Sequence, residues 1–230
     1  MHPTRFALPL LLVAGFVSAK DPAAVYVRPD EYPIERILPS PPRAGSDEEK
    51  ADRQKLLDTV AHRTEADIQR AKVEEKDQPF LFGEILGKDF TAENLPKLAA
   101  LFAQATTDAK YSLWAAKGVF KRPRADTPEA QEEEHKDPKR IDYSFPSSHS
   151  TRAFLWATLL SELFPEQSGA IHLQARRMAW DRVLYGKHYP ADVLAGRVYG
   201  EFLAGEFLAN EKFMEAWKEV EAEVKTFRSK

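Results

Sequence analysis

The stretch PSSHSTRAFLWATLLSELF, residues 146–164, decides the fold. From Ala153 to Phe164 it is apolar on nearly every side, and a helix of that kind is buried. The expectation is a central buried helix over residues 148–164. Its entrance differs from its interior. Ser147 and Ser148 are residue types that cap helices through their side-chain oxygens. A helix N-terminus also presents free backbone N–H groups and partial positive charge, where anions bind. His149 falls in the first turn, within reach of a group held there.

A buried helix needs partners, and the flanking sequence supplies them. Gly169 to about Leu184 and Pro190 to Ala209 keep helical character. In the second of these, Gly196, Gly200 and Gly205 permit close approach of another backbone. EKFMEAWKEVEAEVKTF, residues 211–227, is amphipathic. Upstream, Asn94 and Pro96 mark a helix start, and Leu98, Leu101, Phe102, Ala105 and Ala109 keep the spacing toward Trp114 and Lys117. Ser46, with Glu49 three residues on, is a capping box opening a long helix. Leu57, Val60, Ala61, Ile68 and Ala71 give that helix only a narrow apolar stripe, so it is expected to be peripheral. Residues 125–142 are dense in charge and contain two prolines, which predicts a solvated loop, with a lid as the alternative. Strand-like alternation is nearly absent. The fold class is all-α, a single helical-bundle domain over residues 46–230.

Residues 1–19 have a mildly basic start, an apolar core from Ala7 to Val17 and the small-residue site Val17-Ser18-Ala19. Those are the parts of a secretory signal peptide, too short in its apolar core to span a bilayer. Periplasmic or secreted localisation and no stable membrane insertion are the expectations. Pro22, Pro29, Pro33, Pro39, Pro41 and Pro42 forbid a continuous helix over residues 20–45, which should run as an extended arm. The chain has no cysteine, which excludes disulfide scaffolds and thiolate chemistry. A net charge of −3 with no basic stripe argues against a nucleic-acid partner. The helix from Pro190 suits internal packing or a subunit interface, so a homo-oligomer stays open.

Three clusters carry chemistry. KGVFKRPR places Lys117, Lys121, Arg122 and Arg124 at a helix end, as the dipole favours; guanidinium and ammonium groups also clamp phosphate. Ser147, Ser148 and His149 form the second cluster. DRVLYGKHYPAD, residues 181–192, forms the third, with Arg182, His188 and Asp192. A histidine and a carboxylate four apart are either two metal ligands, lacking a third strong one, or an imidazole held by a carboxylate with its other nitrogen free. His62, His135 and His172 have no comparable setting.

Together, in this order, the clusters resemble the three-part signature of the type 2 phosphatidic acid phosphatase (PAP2) superfamily: K-x6-R-P, then P-S-G-H, then S-R-x5-H-x3-D. Lys117 and Arg124 enclose GVFKRP; Pro146-Ser147-Ser148-His149 follows; Arg182, His188 and Asp192 complete it. Three positions depart from it. Ala125 stands for the proline, Ser148 for the glycine, and Asp181 for the serine. None removes a charged or nucleophilic group. Ser148 adds a hydroxyl at the phosphate contact, and Asp181 is expected to add negative charge beside the anion site. The leader, the proline-rich segment ILPSPPRAGS and a mature length of about 210 residues are similar to the bacterial class A non-specific acid phosphatases.

The resemblance implies a metal-independent, cofactor-free phosphomonoesterase acting on small-molecule phosphate esters. It implies His188 as nucleophile, Asp192 as its orienting partner and His149 as proton donor and acceptor. Lys117, Arg124, Ser147, Ser148 and Arg182 would surround the phosphoryl oxygens. A donor that must begin protonated implies an acid optimum, since free histidine titrates at about 6.5. The alternatives are a lipid or isoprenoid phosphate phosphatase, an enzyme like the vanadium-dependent haloperoxidases, and a helical protein that binds phosphate without turnover.

Overall fold

Capping chemistry sets most of the element boundaries. The computed structural model describes residues 24–28, 31–76, 78–134 and 143–229; the leader at 1–19 and residues 135–142 of the charged segment lie outside the described residues. Among the described residues the fold is all-α, with no strand. Its helices are α1 (Asp47–His62), α2 (Glu65–Glu74), α3 (Gly83–Leu86), α4 (Pro96–Phe120), α5 (Pro128–Glu134), α6 (Ser148–Leu163), α7 (Ser168–Leu184), α8 (Pro190–Ala209) and α9 (Glu211–Arg228).

The helix expected at 148–164 is α6, and it lies at the centre, packed on α4, α7 and α8. Phe154, Leu155, Trp156, Leu159 and Leu160 are all buried. Each contributes roughly 1.5–3 kcal/mol by leaving water. The indole of Trp156 donates to Thr106 Oγ1 at 3.0 Å, which satisfies its one polar atom. The α6–α8 contact is made by absent side chains. A Cβ on Gly196 would stand 2.6 Å from the Ser147 carbonyl oxygen and 2.7 Å from Ser150 Cβ; one on Gly200 would meet the Thr151 carbonyl. Gly205 faces open space, so two of the three glycines make the expected close approach, and they make it internally.

Three elements differ from the sequence expectation. The long helix opening at Ser46 is two helices. Arg63 is extended, and Thr64 starts α2 with its own reciprocal cap: Thr64 Oγ1 accepts from the Asp67 N–H at 3.2 Å, and Asp67 Oδ2 accepts from the Thr64 N–H at 2.9 Å. The segment expected to be a solvated loop contains α5. Thr127 Oγ1 accepts from the Ala130 N–H, Pro128 takes the first helical position, and Thr127 and Ala130 are buried. The proline-rich arm buries Val27, Ile34 and Leu38. Its docking point is Asp108 of α4, a fully buried carboxylate that accepts the backbone N–H groups of Val25, Tyr26 and Val27 at 2.6–3.1 Å. Among the described residues no helix is long and apolar enough to cross a membrane.

Candidate active site

The third sequence cluster is a helix stop followed at once by a helix start. Helix α7 ends in a Schellman turn, with Gly186 left-handed at φ +80°. The Lys187 N–H bonds the Arg182 carbonyl and the Gly186 N–H the Val183 carbonyl, both at 2.9 Å. That turn carries His188 back over the end of α7, and Pro190 then opens α8. Asp192 sits third in α8, where the dipole favours a carboxylate, and its Oδ2 accepts the Tyr189 N–H at 3.0 Å. The spacing from Arg182 to His188 to Asp192 is therefore the length of one stop-and-start.

His188 is held from both sides. Its Nδ1 lies 3.4 Å from Asp192 Oδ2 and its Nε2 lies 3.1 Å from Arg124 Nη1. A guanidinium can only donate, so Nε2 carries the lone pair and the proton sits on Nδ1, toward the carboxylate. The tautomer with its electron pair at Nε2 follows from the two partners together. His188 and Asp192 are both buried.

The second cluster joins the third through the tight α6–α8 contact. The Ser147 N–H donates to the Asp192 carbonyl at 3.0 Å, and Ser150 Oγ donates to the Val193 carbonyl at 2.7 Å. Ser147 caps α6, its Oγ facing the Ser150 N–H at 3.4 Å. Ser148 is half-buried at the first helical position, and its hydroxyl has no hydrogen-bond partner among the described residues. His149 is half-buried. Burial pushes its pKa well below the ordinary 6.5, and the charges of Arg182, Arg152 and Lys187, with that of His188 when protonated, push the same way.

The first cluster arrives from the end of α4. Lys121 is left-handed at φ +50° and turns the chain. Lys117 is buried, with its Nζ on the Tyr143 carbonyl just ahead of α6. Arg124, half-buried, reaches His188 and also the Lys187 carbonyl at 3.4 Å. Arg182 is buried, its Nη2 3.7 Å from Glu75 Oε1. The structure thus joins Arg124 to His188 and Asp192 to Ser147, and sets His149 in the field of Arg182 and His188. Lys117 reaches the segment that leads into Ser147.

Several partnerships at the site escaped the sequence reading. Arg122 is buried and stacked 4.1 Å from the Tyr189 ring; its Nη1 meets Asp192 Oδ1 and its Nη2 meets Asp52 Oδ2, both at 2.7 Å. Ser144 Oγ donates to Asp192 Oδ2. Asp52, on the helix expected to be peripheral, also accepts the Ala191 N–H at 2.9 Å. Lys187 pairs with Glu75 at 2.6 Å. The basic run had drawn attention to Arg122 as a cation without showing its partners, and nothing local marks Asp52.

The charge expected from Asp181 is opposed by a guanidinium. Arg70 of α2 holds Asp181 with two bonds, Nε to Oδ2 at 2.6 Å and Nη2 to Oδ1 at 2.8 Å. Beside this pair Glu74 is buried, and burial and the Asp181 charge push its pKa up to about 8. Among the described residues no three His, Asp or Glu side chains gather as a metal-ligand set.

A family model, the PAP2 superfamily, matches residues 86–212, which contain all three clusters. A lipid A 1-phosphatase of Rhizobium johnstonii is 38% identical over 61 residues, 26% of this chain and 25% of that protein. One of Rhizobium etli is 40% identical over 57 residues, 25% of each chain. A non-specific acid phosphatase of Salmonella typhi is 28% identical over 130 residues, 56% of this chain and 47% of that protein. The chain spans from about a quarter to about half the length of these curated relatives. With more than half of its residues inside the family model, which contains all three clusters, the chain belongs to the PAP2 superfamily.

Proposed function

We propose that this chain is an exported acid phosphatase that hydrolyses organic phosphate esters through a phosphohistidine on His188. The observation that carries the reading is the His188 imidazole, its Nδ1 against a buried carboxylate and its Nε2 lone pair turned toward Arg124. The Nε2 lone pair attacks phosphorus and the bond to the leaving oxygen breaks. That oxygen takes the proton of a charged His149. Asp192 stabilises the positive charge developing on the His188 ring. Water then attacks phosphorus and gives a proton to His149; the P–N bond breaks, its pair returns to Nε2, and inorganic phosphate leaves. Arg124, Arg182, Lys117 and the Ser147–Ser148 corner compensate the phosphoryl charge. These steps route nothing through a metal or cofactor.

His149 is held neutral by burial and by its cationic neighbours. A bound phosphoryl group brings negative charge into that field, so His149 gains its proton together with the substrate. A proton donor with a lowered pKa works in acid solution, and turnover should fall as pH rises through neutrality.

Export rests on the leader read at residues 1–19. The acid phosphatase match runs over 130 residues, against 61 and 57 for the lipid A 1-phosphatases. The second reading, a lipid phosphate as substrate, draws on the higher identity of those shorter matches. The test is a panel of p-nitrophenyl phosphate, nucleotides and detergent-dispersed lipid A bearing a 1-phosphate, each with and without vanadate. Turnover of the soluble esters in acid, blocked by vanadate, is expected. Turnover of the lipid alone would support the second reading. Phosphate binding by calorimetry without turnover of any ester would overturn both, and vanadate-dependent bromide oxidation would place the chemistry elsewhere.

A further inference from the structure

Beyond Asp192 the site continues outward through two more charges. Asp192 is fully buried and receives four donors: Arg122 Nη1 on Oδ1, and Ser144 Oγ, the Tyr189 N–H and His188 Nδ1 on Oδ2. Arg122 in turn forks between Asp192 and Asp52, and both of its partners are themselves nearly inaccessible. A lysine ammonium could not hold two carboxylates with the same planar geometry. Asp52 belongs to α1, outside the residues that match the family.

A carboxylate beside an imidazole does two things. It fixes the tautomer, and it favours the protonated ring. The first prepares a nucleophile; the second removes it, because imidazolium has no lone pair at Nε2. An acid-working phosphatase therefore needs the Asp192 hydrogen bond without the full Asp192 charge.

We propose that the Asp52–Arg122 pair tunes the nucleophile: Arg122 offsets the Asp192 charge so that His188 stays unprotonated in mildly acid solution, and Asp52 sets how much of the Arg122 charge is felt. The proposal rests on the phosphohistidine reading above. The other charged groups about His188 are Arg124 on its Nε2, Lys187 beside it in the chain, and His149, which shares the field of Arg182 and Arg152; Glu75 pairs with Lys187 and lies 3.7 Å from Arg182. Among the described residues none of these side chains is bonded to Arg122 or Asp52, so substitutions there report on the Asp52–Arg122–Asp192 line. Arg122 and Asp52 act through Asp192 and are positioning residues.

The test follows the His188 imidazole by NMR titration in the resting protein, beside the acidic limb of kcat/KM on p-nitrophenyl phosphate. Arg122→Gln should raise both midpoints and Asp52→Asn should lower both, each by roughly half a pH unit, less than the 1–3 units of a direct charge neighbour. Arg122→Lys should return the midpoint toward wild type. Opposite shifts from the two ends of one ion pair are not what lost packing produces. A uniform fall in activity with the limb in place, or shifts of the same sign, would overturn the proposal. Should Arg122→Gln not fold, Asp52→Asn alone decides: a downward shift supports the tuning, and an unmoved midpoint overturns it. The imidazole titration needs no turnover, so an inert wild-type protein would retire the phosphatase reading while leaving this question answered.

Discussion

Two histidines of the same chain sit in different electrostatic settings. His188 has a carboxylate on Nδ1, whereas burial and four positively charged or chargeable neighbours act against a proton on His149. The lowered pKa of His149 makes a stability prediction with a definite sign. In the unfolded chain it titrates near 6.5, so its contribution is present above that pH and is lost as pH falls toward the lower folded value. Glu74, raised to about 8, runs the other way, adding stability as pH falls from 8 toward 4.5. Comparison with a variant separates them. Between pH 7.5 and 5.5, urea denaturation should show wild type changing less favourably than His149→Gln, and inorganic phosphate should reduce the difference. Equal pH dependence in the two proteins would mean that His149 keeps an ordinary proton affinity. The residue types of the candidate site and their order are read directly from the sequence, since they are local patterns. Arg122's partners and Asp181's neutralisation by Arg70 are not, because each depends on a residue more than sixty positions away.

The site exists because the starts of α6 and α8 lie side by side, and Gly196 and Gly200 allow it. Gly196→Ala would force the added methyl against the Ser147 carbonyl and Ser150. Overpacking of that kind costs about 1–3 kcal/mol, and here it would also spread Ser147 from Asp192, so turnover should fall with stability. Gly205→Ala is the matched control. It meets nothing within 4 Å and should stabilise the helix by up to about 1 kcal/mol, with activity unchanged. Thermal melts and an aryl phosphate assay on both variants check the pair. The four helices of the C-terminal half and the start of α4 followed from caps, prolines and apolar spacing. The division between α1 and α2 was hidden because a Thr64–Asp67 cap resembles ordinary helix-interior polar sequence. The start of α5 was likewise masked by the charge density around it.

The whole chain is tied to the bundle from its N-terminal side. Asp108 receives three consecutive backbone N–H groups, Asn210 Nδ2 donates to the Tyr26 carbonyl at 3.0 Å, and the Tyr26 ring meets Phe213 edge-on at 5.3 Å. The prolines announced an arm, but a lone aspartate in an apolar helix gave no sign of what it would hold. Asp108→Ala leaves those N–H groups unpaired, a loss of about 1–3 kcal/mol. It should lower the melting temperature by several degrees and open the arm to proteolysis ahead of the core. Arm cleavage at the wild-type rate would show that Asp108 is not the anchor. The proposed mechanism turns on a phosphorylated imidazole, which rapid quenching can trap. Acid-free rapid quenching during turnover of p-nitrophenyl phosphate, followed by mass spectrometry, should find one phosphoryl group on His188, accumulating in His149→Ala and absent from His188→Ala. Full turnover by His188→Ala, or a label on any other residue, would contradict the mechanism at its first step.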